Sequence, residues 1–197
     1  MISKSLQARL AALSVAVLFT GVAQAHWSLD NDSSSLSFVT VKAEHVAEVH
    51  TFDMLSGIID DVGDVEISIE LASVNTMIDI RNERMQEMLF ETNLFPDATV
   101  TGKINLDLLA GLDAGTSYAR QINFQLSLHG QSVGMAADVQ ITRTAEGAVF
   151  STLKPIVVMS DSFALTAGVE KLREVAGLPS ISRAVPVSFT VVFKQSH

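Results

Sequence analysis

Arg81 and Arg84 share the stretch "DIRNERMQEMLF", residues 79 to 90, with Glu83 and Glu87, and the four charges are mixed with long apolar side chains at helical spacing. Met85, Met88 and Leu89 fall on one face of such a helix, while Glu83, Arg84 and Glu87 stay on the wet side. An arginine beside that apolar stripe can do one of two things: face the polar head of a hydrophobic ligand, or pair with a nearby carboxylate such as Asp79. The methionines also have two readings. They can conform to a flexible apolar guest, or they can fill core space beneath a crossover.

Other residue types that could do chemistry lead nowhere as sharp. Asp60 and Asp61 are adjacent, and neighbours on a strand point to opposite faces, so they do not form a catalytic carboxylate pair. Ser160 and Ser162 flank Asp161, an arrangement that a loop before a helix explains without a nucleophile. No G-x-S-x-G, phosphate-binding glycine loop, H-E-x-x-H or G-x-G-x-x-G occurs. The chain has no cysteine, which removes thiol catalysis, CxxC redox chemistry and disulfides together. Neither an enzyme nor a bound cofactor is expected.

The first twenty-five residues read as an address. Lys4 and Arg9 precede an apolar run from Leu10 to about Gly21, and Ala23-Gln24-Ala25 supplies a small-x-small cleavage site. The run is shorter than the roughly 20 residues that span a bilayer. Cleavage after Ala25 predicts a periplasmic protein with no anchor, whose mature chain is residues 26 to 197. Losing Lys4 and Arg9 takes the formal charge from −9 to −11. So acidic a chain repels nucleic acid and anionic surfaces. Cleavage would also expose the amine of His26, which could chelate copper with a second histidine from His45, His50 or His129. Scattered surface histidines are the plainer reading.

The elements that must position these residues are strands. "VEISIEL" places Val65, Ile67, Ile69 and Leu71 on one face against Glu66, Ser68 and Glu70. The same alternation puts Tyr118, Ile122, Phe124, Leu126 and Leu128 together. It does so again for Val133, Met135, Ala137, Val139 and Ile141, and for Val185, Val187, Phe189, Val191 and Phe193. Weaker strands are "SLSFVTVK", "HVAEVHTF", "LSGIID", "TVTGKINL" and "AVFSTLKPIVV", with turns at "DVGD", "HGQ" and "AEG". Eight or nine antiparallel strands in one domain mean a sandwich or a barrel. The hairpin of residues 118 to 128 and 131 to 142 has arms of roughly 35 Å at ~3.3 Å per residue, which favours a tube. Two short helices interrupt the strands: the stretch at 79 to 90, and "GVEKLREVAGLP", in which Val169, Leu172 and Ala176 share a face.

Four segments together resemble a known family. "WSLDNDSSSLSF", "SVNTMIDIRNERMQEMLFETNLFPDATVTGKI", "LHGQSVGMAADVQI" and "AVPVSFTVVF" are similar to the YceI-like family of bacterial periplasmic proteins, over essentially the whole of residues 26 to 197. The resemblance implies an all-β protein: an eight-stranded antiparallel, lipocalin-like β-barrel that encloses a long isoprenoid-type lipid, with helices near one end. Where the family commonly has Asp after the arginine this chain has Asn82, and where it often has His it has Arg84, so only Arg81 is carried across.

The expected ligand is therefore an isoprenoid lipid, polyprenyl or quinone, carried or sequestered in the barrel. Its contacts would be Phe38, Ile67, Ile69, Ile122, Phe124, Leu126, Val187, Phe189 and Val191 from the strands, with Arg81, Met85, Met88 and Leu89 from the helix. At ~0.8 kcal/mol per buried CH₂, two isoprene units of about ten carbons gain roughly 8 kcal/mol before ordering costs, so no polar site is needed for affinity. The rival is a barrel packed solid by its own side chains and serving as an interaction protein, and a homodimer stays open. Inward volume decides between them.

Overall fold

The computed structural model describes residues 26–195, so the expected leader and its cleavage after Ala25 lie outside the described residues. Eight strand lines follow one another around a closed barrel. We label them β1 (Trp27–Leu29 and Ser35–Lys42, parted by the turn Asn31–Ser33), β2 (Val46–Phe52 and Leu55–Ile59), β3 (Asp64–Glu70), β4 (Asp97–Lys103), β5 (Ser117–Leu128), β6 (Gln131–Arg143), β7 (Gly147–Thr152 and Ile156–Met159) and β8 (Ala184–Gln195). Each pairs antiparallel with the next, and β8 closes the ring on β1 through Val187↔Phe38 and Phe193↔Leu29. Closure leaves no long sheet edge to aggregate.

Alternation sets the inner face, and the pairing register keeps it in line. Ile67 lies opposite Val100, Val100 opposite Leu126, Leu126 opposite Val133, and Phe150 between Ile141 and Val191. A slip of one residue would turn all of these to solvent. At one end the barrel is packed solid: Ile59, Ala148, Leu109, Phe193 and Ile141 are at most 2% exposed. Phe150 meets Phe193 edge to face, and the Arg143 guanidinium lies 5.3 Å from the Trp27 ring.

Helical segments occupy the connections. The one from β3 to β4 holds α1 (Asp79–Arg84), which continues as a π-helical turn over Met85–Phe90 and ends on Glu91 at φ 49°. The one from β7 to β8 holds α3 (Thr166–Val175). Both lie at the same end of the barrel, opposite the packed floor. They meet at Gly168, where a Cβ would stand 2.7 Å from the Met88 carbonyl oxygen and 2.8 Å from the Leu89 Cα.

Three expectations are corrected. A further helix, α2 (Leu106–Ala110), ends the segment taken as the strand "TVTGKINL": the Asn105 side chain accepts from the Leu108 N–H, capping a helix where a strand would continue. α3 starts at Thr166, ahead of Gly168, and Ala176 falls just past its end. "AVFSTLKPIVV" is two strand pieces, because Leu153–Pro155 leaves the ladder before Ile156 rejoins β8.

Candidate functional site: a barrel cavity with a polar mouth

Inside the barrel runs a cavity of about 470 Å³. Its wall is almost wholly aliphatic and aromatic, drawn from the inner faces of all eight strands. Many of these residues, including Ile67, Val100, Ile122, Phe124, Val187 and Phe189, point into the barrel yet are only partly buried. In a solid core they would be sealed. Solvent access from within marks a hollow.

Apart from Lys103, which pairs with Asp64 at the far end of the barrel, the charged lining gathers at the mouth, and β1 and β2 grade it along their length. Lys42 stands outermost, then Thr40 opposite Glu48, Phe38 opposite His50 and Leu36 opposite Phe52, each on the inward-facing parity. Glu48 is the hub: Oε2 accepts from Lys42 Nζ at 2.8 Å and from Arg81 Nη1 at 2.8 Å. The Lys42 hydrogen bond first, and then the Arg81 charge, hold the Glu48 carboxyl below its usual range against partial burial. His50 is 4% exposed, with Nε2 3.0 Å from the Thr40 hydroxyl and a buried Nδ1 that has no partner. Burial first, then the Arg81 charge, pushes its pKa below 6.5, so the ring is neutral at pH 7.

Arg81 is held by β2 and by its own turn. Nη2 donates to the Thr76 carbonyl at 2.6 Å, while Nε is buried with no acceptor. Its carboxylate partner is Glu48, 33 residues away, and not Asp79, which is exposed. Asn82 Oδ1 accepts from both the Thr76 N–H, at 2.9 Å, and the Thr76 hydroxyl, at 2.6 Å. An aspartate could accept the same bonds but would set another carboxylate near Glu48. Asn82 thus fixes the turn without altering the charge of the mouth.

Of the thirteen expected ligand contacts, twelve line the cavity: Phe38, Ile67, Ile69, Arg81, Met85, Leu89, Ile122, Phe124, Leu126, Val187, Phe189 and Val191. Met88 does not. Arg84, expected in solvent, does line it, and its side chain makes no ion pair or hydrogen bond among the described residues. Glu83 and Glu87 are exposed, as their spacing predicts. The residues that sequence reasoning missed are Lys42, Thr40, Glu48 and His50. They carry the same alternation as Phe38 and Phe52, but polar types on the inward parity look like solvent.

His50 also corrects the reading of scattered surface histidines. His45 is in the turn before β2, His50 is inside the barrel, and His129 Nε2 meets Glu91 Oε2 at 2.9 Å with its ring against Phe95. Among the described residues no three His, Cys, Asp or Glu side chains gather as a metal site.

A closed, helix-capped antiparallel barrel around an apolar cavity with a polar mouth is a hollow β-barrel, an architecture able to hold a hydrophobic ligand. Residues 27–193 match the YceI-like domain, and the chain belongs to that family. A polyisoprenoid binding domain from Saccharophagus degradans, implicated in plant cell wall breakdown, is 38% identical over 86% of this chain and 98% of its own, with a TM-score of 0.84. BcnA of Burkholderia cenocepacia (18% identity, 83% and 98% covered, TM-score 0.63) and the YCEI protein of Campylobacter jejuni (19%, 75% and 84%, 0.54) share the fold. No curated protein matches the sequence.

Proposed function

We propose that this chain binds an isoprenoid-type lipid, polyprenyl or quinone, inside the barrel and carries or sequesters it in the periplasm. The carrying observation is the cavity: its inner-face side chains stay solvent-accessible within a closed barrel, space that a solid barrel would not leave. The 38%-identical relative, described as polyisoprenoid binding, supports the ligand class. The leader sequence supports the location. The grading of β1 and β2 supports a ligand with its tail toward the packed floor and its head among Lys42, Arg81, Arg84 and His50. Contact residues are the twelve in the wall, and neither a cofactor nor a partner chain is needed.

Native mass spectrometry of the protein from its own periplasm, followed by solvent extraction, tests this. A stoichiometric isoprenoid adduct released by solvent is expected. A clean apo mass, with no uptake of added quinone or polyprenyl lipid, would overturn the proposal.

A further inference from the structure

The turn between the short strand Val74–Asn75 and α1 carries three apolar side chains into solvent: Met77 is 84% exposed, Ile78 47% and Ile80 53%. Val46, opposite Lys42 at the top of the β1–β2 ladder, adds a fourth at 46%. Exposed apolar side chains occur singly on any surface. Here Ile78 and Ile80 also line the cavity, so the same apolar side chains face both the barrel interior and the outside.

The turn is held rigid in this pose. Met77 has φ 61°, an unfavourable conformation for a non-glycine residue. Its N–H donates to Asn75 Oδ1 at 3.0 Å, Thr76 is fixed twice by Asn82, and Arg81 holds the Thr76 carbonyl. The polar groups of this network bond within the chain, and the side chain displayed outward is a methionine. Packing within the chain explains neither the strain nor the exposure.

We infer that the lip formed by Val46, Met77, Ile78 and Ile80 is a docking surface for a lipid bilayer, across which the ligand enters and leaves the cavity. The inference rests on the lipid-carrier reading, and continuity chooses the partner. An isoprenoid dissolved in hydrocarbon reaches the cavity without crossing water only if the apolar lip is seated in the bilayer. A folded protein partner would have to uncover that path for the ligand to move. Charge is mixed at the mouth, where Lys42 and Arg81 pair with Glu48 and Arg84 lines the cavity, with Asp79 and Glu83 exposed on α1. Docking is therefore driven by apolar insertion, and salt changes it little.

The test is flotation of the purified protein with phosphatidylcholine vesicles, with and without phosphatidylglycerol, comparing wild type with Met77→Glu and Val46→Glu. Neither residue lines the cavity. Wild type is expected to float with phosphatidylcholine vesicles and no better when phosphatidylglycerol is added, and each variant to partition roughly tenfold less or worse, the factor for withdrawing one apolar side chain and inserting a charge. Failure of wild type to float, or equal flotation of the variants, would overturn the inference. So would a wild-type dimer that the variants dissociate, which would assign the lip to a second copy. Loading of a quinone from cyclodextrin, which involves no bilayer, separates the two claims: its failure sinks the carrier reading, while its persistence in the variants shows their cavity intact.

Discussion

His50 places an ionisable ring where protonation is costly, between Phe38 and the Arg81–Lys42 charges. Its folded pKa is lowered, so the unfolded chain binds the proton more readily. The stability this contributes is complete above about pH 6.5 and is lost as pH falls through the folded value. Urea denaturation between pH 7.5 and pH 5, values spanning the ordinary range of histidine, should show stability falling in the wild type. The fall should be shallower in His50→Gln, whose amide can still meet Thr40. Carboxylates held low, such as Glu48, titrate beneath this window. An equal slope in both proteins would remove His50 as the cause. Neither His50 nor Glu48 was legible as a cavity residue. Strand alternation gives parity only, and which parity faces inward is inferred from apolar type, so a polar mouth is misread as surface.

At the scale of elements, apolar alternation made the barrel wall legible because a strand's period of two survives small errors of register. The helix was harder. Helical spacing sets Met85, Met88 and Leu89 on one face and Arg84 in solvent, yet Arg84 lines the cavity and Met88 does not. From Met85 the backbone widens into a π-turn, which brings Leu89 and Phe90 to the wall in place of Met88. Hydrophobic spacing carries no mark of that extra residue per turn. Against this turn packs Gly168 of α3. Because a Cβ there meets backbone atoms, neither partner can yield by a rotamer change. Gly168→Val should cost about 2 kcal/mol or more by driving the helices apart. Ala167→Val, on the exposed side of the same helix, should cost only about 0.5 kcal/mol of helix propensity. Chemical denaturation of both variants measures the difference, and equal losses would mean that the two insertions do not brace one another.

For the whole molecule, what distinguishes a container from a solid barrel is how it answers added volume. A packed core given an indole in place of an isopropyl group is strained by typically 1–3 kcal/mol, because neighbouring side chains must leave their rotamers. Val187 lies on the inner face of β8 opposite Phe38, lines the cavity and is only partly buried. A tryptophan there has roughly 470 Å³ of apolar space ahead of it. Val187→Trp should therefore leave stability unchanged within about 1 kcal/mol, or raise it, since the ring buries apolar area that the wild type leaves open. The same ring occupies the path of a ligand tail, so the variant should purify without the adduct that the wild type retains. The two readouts constrain each other. Lost stability with ligand retained would mean that the indole was forced into packed wall and the ligand lies elsewhere. Retained stability with lost ligand requires that the volume filled by tryptophan is the volume used for binding.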